Sequence, residues 1–146
     1  MPKEQPDHHD AQIILELYDL RREAVMRESR NLIGVKFWPL TYEEFLAVTK
    51  RDHPLNTAFR QVASYWEMAY GFARHGIVNA DFLVENNTEG LFLYAKVQPY
   101  LERFRREEKL PAPAFRNAEW ISTQCDEGRR RFSAIQEMVK KIMETK

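Results

Sequence analysis

The residues best spaced for chemistry are Arg60, Glu67 and Arg74, which lie seven apart in an aromatic stretch. On a helix that spacing puts them on one line, with charges plus, minus, plus. Arg21, at the edge of an earlier apolar stripe, is placed to pair with Glu67. Two readings follow. One is a polar pocket for a small acidic ligand, with Arg21, Trp38, Glu67 and Tyr70 as candidate ligand-binding residues and Trp66 beside them. The other is an ion pair between helices that sets their register, the usual fate of a buried polar group. The second reading predicts that Glu67 contacts an Arg from another helix.

The remaining reactive side chains point to structure. Cys125 is the single cysteine, so there is no internal disulfide. It falls on an apolar helical seam, where a thiol packs as a small hydrophobe, and its neighbours Asp126 and Glu127 disfavour a thiolate. His8 and His9 are adjacent, so their side chains diverge by about 100° on a helix and converge poorly on one ion. HExxH, Glu-x-x-His, CxxCH and Gly-rich phosphate loops are all missing from the chain, as is an Arg four to six residues ahead of a His. No catalytic residue, metal ligand or cofactor is therefore assigned. The clusters Arg103, Arg105, Arg106 and Arg129, Arg130, Arg131 are interleaved with acids, which describes a solvated ion-paired face. With 22 basic and 22 acidic residues the net charge is zero, so no nucleic-acid partner is expected. The opening Met-Pro-Lys-Glu-Gln-Pro has no apolar signal core, and no apolar run approaches the length of a membrane span. A cytoplasmic protein that does not enter membranes is the expectation.

The elements that must hold these residues are helices. Gly is scarce, at five residues, which favours long helices over a turn-rich β fold. Residues 1–6 read as a disordered tail and 7–146 as one helical domain. Asp7 caps a first helix running to about Asn31, with Glu23 and Arg27 paired on its outside. Phe37-Trp38-Pro39-Leu40 is a connector. Thr41 and Glu44 form a capping box for a short helix to about Lys50. Asn56 caps the central helix and Gly76 closes it. Phe59, Val62, Trp66, Ala69 and Ala73 make its apolar stripe, widened by Ala63, Tyr65, Tyr70 and Phe72, so it should be surrounded by others.

Asn79 caps a short segment over 80–85. Thr88 caps a helix to about Lys109, with a kink expected ahead of Pro99. After Pro111 and Pro113 the longest helix covers about Ala114 to Glu144. Ala118, Ile121, Cys125, Gly128, Phe132, Ile135, Val139 and Ile142 give it a heptad seam on which Gly128 admits a close backbone. The fold expected is all-α: a single-domain up-and-down bundle of four longer and about two short helices.

Several local patterns carry a resemblance: Leu17-Tyr18-Asp19-Leu20-Arg21-Arg22-Glu23, Phe37-Trp38-Pro39, Phe59-Arg60-Gln61, Ser64-Tyr65-Trp66-Glu67-Met68, His75-Gly76 and Asp81-Phe82-Leu83. Over roughly Leu17 to Phe104 the chain resembles a group of uncharacterised bacterial all-helical proteins classed as a domain of unknown function. The resemblance implies a bacterial helical domain and assigns no activity or catalytic residue. The function expected is a non-enzymatic helical domain that binds protein or associates with itself, the long seam supplying a homodimer or partner face. The alternative is a small-ligand sensor or enzyme with a pocket lined by Trp38, Trp66, Glu67 and Tyr70.

Overall fold

A computed structural model describes residues 2–146. Among them every regular element is a helix, eight in all, and one hydrophobic cluster runs through the chain. The all-α bundle expected from the sequence is the observed class, but two of its long helices are each broken in two.

The first break is at Glu23. α1 (His8–Arg22) starts on Asp7, whose carboxylate accepts from the His9 and Asp10 N–H groups. It ends where Glu23 turns to φ −57, ψ 141. The Glu23 carboxylate then accepts from Val25 and Met26 N–H and opens α2 (Ala24–Lys36). The sequence predicts one helix to about Asn31 through this point, and no Gly or Pro marks the corner. Glu23 makes the corner by capping the backbone. Ahead of α1, Lys3 reaches Asp7 at 2.9 Å and the fully buried Asp10 at 2.5 Å.

α3 (Tyr42–Val48) begins on Thr41, whose hydroxyl accepts from Glu44 N–H. The Glu44 carboxylate reaches back to Leu40 N–H, one residue ahead of the expected box partner. α4 (Asn56–Arg74) is the central helix. Asn56 lies in its first turn and does not cap it. Its amide donates to Val48 O and its oxygen accepts from Arg60 Nε, tying α3 to α4. Gly76 closes α4 at φ 74 while Ile77 N–H donates to Phe72 O at 2.8 Å, the Schellman arrangement.

α5 (Ala80–Asn86) is capped by Asn79. α6 (Glu89–Glu108) passes unbroken through Pro99. Thr88 does not cap it; its hydroxyl donates to Val84 O instead.

The second break is at Cys125. The segment expected as one helix is α7 (Arg116–Gln124) and α8 (Asp126–Glu144), hinged where Cys125 takes φ −120, ψ 129. The two halves then fold against each other. A Cβ on Gly128 would lie 2.0 Å from Ile121 O, so the close backbone approach expected at Gly128 is made by the other half of its own seam. Ala118, Ile121, Cys125, Ile135 and Val139 are all buried.

α4 packs on α2 and α7 and also meets α5 and α6, while α8 lies along α6 and α5. Ten α4 residues are buried, among them Trp66 and Tyr70, which sit so close to α6 that a Cβ on Gly90 would meet both rings. Burial of aromatics on this scale stabilises by about 1.5–3 kcal/mol per side chain. No helix among the described residues is long and apolar enough to cross a membrane.

Candidate functional site

Glu67 does not pair with an arginine of another helix. Its two carboxylate oxygens accept from Asn117 N–H at 3.0 Å and Ala118 N–H at 2.8 Å. The physical reason is the start of α7. Its N-cap, Phe115, has φ 60 and no capping side chain, which leaves the first N–H groups without acceptors. Glu67 supplies them from α4. Asn117 returns a hydrogen bond from its amide to Glu67 O, and its oxygen accepts from Arg74 Nε at 2.6 Å. Burial pushes the Glu67 pKa above the usual carboxylate range, opposed by the two N–H donors and by the Arg105 and Arg74 charges. Gly71 leaves room for the Asn117 amide, which a Cβ there would meet at 2.9 Å.

Arg21, expected beside Glu67, is elsewhere. It donates to the Asn87 side chain and lies 5.6 Å from the Tyr18 and Trp66 ring centres. Tyr70 is fully buried, its hydroxyl donating to Asn87 O at 2.7 Å, and burial raises its pKa well above the ordinary value. These contacts clamp the α5–α6 turn.

Trp38 and Trp66 do come together, around a cavity of about 440 Å³. Its walls are Ile33 and Gly34 of α2, Val62 and Trp66 of α4, Phe92 and Leu93 of α6, and Ile142 of α8. Glu67, Arg21 and Tyr70 do not line it. Its charged groups are Arg30, Glu89 and Lys96. Arg30 and Glu89 form a two-pronged pair at 2.7 and 2.8 Å.

Lys96 has no such partner. It is 3% exposed, with Nζ 3.3 Å from Ile33 O and 3.9 Å from the centre of the Trp38 ring. Burial, together with the nearby Lys146 charge, holds its pKa down from 10.5 to about 8, against the pull of Glu89. The residue was missed in the sequence, where its signal was a lysine between Ala95 and Val97, four after Phe92 and three after Leu93, on an otherwise apolar stripe.

A pH effect follows from Lys96. Between about pH 8 and 10.5 the unfolded chain holds a proton that the folded chain has lost, so stability rises with pH through that window. Wild type is expected to gain on Lys96→Met by about 1–3 kcal/mol from pH 7.5 to 10 in urea unfolding. Parallel pH profiles would contradict it.

Gly34 sits at the cavity mouth, and a Cβ there meets nothing within 4 Å. Gly34→Ala should raise stability by about 0.5–1 kcal/mol through helix propensity alone. The urea midpoint checks this, and a lower midpoint would show the site to be tighter than the geometry indicates.

Cys125 lies outside the cavity. Its thiol donates to Asp81 Oδ1 at 3.1 Å, and burial together with that carboxylate pushes its pKa up to about 12. Asp81 also accepts from Glu127 N–H, so it caps α8 from α5. The arginine clusters carry acid partners: Arg103 with Glu107, Arg105 with Glu119, Arg129 with Asp126, and Arg130 and Arg131 with Glu127. Among the described residues no three His, Cys, Asp or Glu side chains converge as a metal site would require.

Fold and site together define an all-helical domain with an apolar cavity between its helices. Residues 6–125 match the family model described as Domain of unknown function (DUF4760), and the chain belongs to that family. The match ends at the Cys125 corner, so Ile142 of α8 and Lys146 beyond it come from outside the matched stretch. No curated protein and no solved structure matches the chain.

Proposed function

We propose that this domain binds a small, mainly apolar molecule in the cavity between α2, α4, α6 and α8, and acts by binding and not by catalysis. The observation that carries the reading is the cavity itself. Its volume of about 440 Å³ is within the range of roughly 300–1,000 Å³ typical of ligand pockets, and its walls are apolar with one convergent amine. The non-enzymatic half of the reading is supported by Cys125, the strongest nucleophile type in the chain, being held as a thiol away from the cavity. The neutral fluorescent probe N-phenyl-1-naphthylamine should bind one per chain, and Gly34→Phe, which puts a ring at the mouth, should abolish binding while the protein stays folded by circular dichroism. Equal probe binding by Gly34→Phe would sink the proposal.

A self-associating domain is the second reading. The heptad seam no longer supports it, because α7 and α8 use that seam on each other and on the core. What favours it is a separate groove lined by Leu20, Met26, Tyr65 and Met68, in which Leu20 and Met68 stay 53% and 42% exposed. A monomer mass in light scattering at high concentration would remove it. Either reading suits a bacterial cytoplasm, where a lone buried thiol stays reduced.

A further inference from the structure

The wall of this cavity carries an unbalanced charge, and that selects among ligands. Four facts bear on it. Arg30 and Glu89 neutralise each other at the rim. Lys96 is buried in the wall with the Ile33 carbonyl and the rings of Trp38 and Phe37 against its amine, and among the described residues no carboxylate pairs with it. Lys146 lies 5.3 Å from the same ring and adds positive charge, not a partner. From α4 the cavity receives Val62 and Trp66, which are uncharged. Among the described residues, the charged side chains around Lys96 are thus Arg30 of α2, Glu89 of its own helix and Lys146 beyond α8, and of these Glu89 is the one acid, already engaged.

An ammonium taken out of water without a counterion is costly, and the cost is relieved when an anion arrives. The carbonyl of Ile33 near the C-terminal end of α2 offsets part of it and leaves donor positions on Nζ unused. Past the amine the lining is apolar, from Ile33, Phe92, Leu93 and Ile142. One unpaired cation beside an apolar chamber fits a single negative charge on an apolar body.

We infer that the cavity takes an apolar monocarboxylate, its head group on Lys96 Nζ and its hydrocarbon against α2, α6 and α8. This rests on the reading of the cavity as a ligand site. The carboxylate accepts a charge-assisted hydrogen bond from Nζ and supplies the missing counterion. The amine's pKa near 8 makes the interaction pH-dependent: the cation is present at neutral pH and is lost as pH rises through 8, while the carboxylate stays ionised throughout.

Calorimetric titration with decanoate, decanol and decyltrimethylammonium separates the possibilities. Decanoate should bind wild type best, lose tenfold or more in affinity in Lys96→Met, and weaken in wild type from pH 7 to 9.5. Decanol should bind both proteins alike at both pH values, and decyltrimethylammonium should bind worst. If Lys96→Met does not fold, the wild-type pH series alone decides. Decanoate and decanol binding equally, with no effect of pH, would overturn the inference and leave the cavity reading standing, with Lys96 acting only as a cap on α2. Binding of none of the three would overturn both.

Discussion

Gly128→Ala is expected to cost about 3 kcal/mol or more, enough to unfold the α7–α8 corner or the whole chain. The added Cβ would lie 2.0 Å from Ile121 O and 2.8 Å from Ile121 C, atoms of the α7 backbone that cannot rotate aside. Alanine's advantage in helix propensity is worth only about 1 kcal/mol, so the clash decides the sign. The displacement would reach the core, because Ile121 is fully buried and Ile135 and Val139 follow on the same face of α8. Urea unfolding and the near-ultraviolet dichroism of the aromatic core would measure it. A variant as stable as wild type would mean that α7 and α8 do not fold back as described.

Glu67→Ala has the second-largest expected effect, a loss of about 2–4 kcal/mol. Two N–H groups at the start of α7 lose their acceptors at once, in a partly buried place where water replaces them poorly. The Asn117 amide and its bond to Arg74 are also left without the carboxylate beside them. Glu67→Gln keeps one acceptor oxygen and should lose about half as much. Hydrogen exchange would localise the damage: the Asn117 and Ala118 amides should exchange faster while those deep in α6 change only with global stability. If Glu67 were an ion-pair partner to an arginine, as the sequence invited, Glu67→Gln would cost nearly as much as Glu67→Ala and these two amides would be unaffected.

These two residues show where sequence reading succeeds and where it stops. Signals contained within one turn were legible: Asp7 on the N–H groups that follow it, Thr41 on Glu44, Asn79 on Phe82, and Gly76 after α4. The apolar circumference of α4 was legible for the same reason, since its period is local. The two corners were not. The apolar seam runs straight through Cys125 and no Gly or Pro marks Glu23, so nothing local records that the backbone turns there.

Other helix starts are held by groups from far along the chain: Glu67 for α7, Asp81 for α8, and Asp10 for the Asn79 N–H ahead of α5. A carboxylate that caps a helix fifty residues away has the same sequence signature as a solvated one. The visible trace is at the other end, where α7 begins at Phe115 without Ser, Thr, Asp or Asn to cap it.

The candidate site divides in the same way. The sequence places Trp38 and Trp66 in a candidate pocket, and both line the cavity. Arg21, Glu67 and Tyr70 stand out in the sequence by charge or polarity, and each is spent on holding a turn or a helix start. Lys96 is not legible as a site in the sequence, because a lysine in a helix is ordinarily solvated. Its meaning depends on Trp38 and the end of α2 closing over it, which is tertiary information.

Amide-detected NMR titration with the neutral probe N-phenyl-1-naphthylamine tests whether the cavity between α2, α4, α6 and α8 is a ligand site. Saturating shifts are predicted at Ile33, Gly34, Val62, Leu93 and Lys96, on the helices that wall the cavity, with α5 and α7 unchanged. Shifts confined to the exposed groove around Leu20 and Met68, or no saturable shift at any residue, would contradict the account.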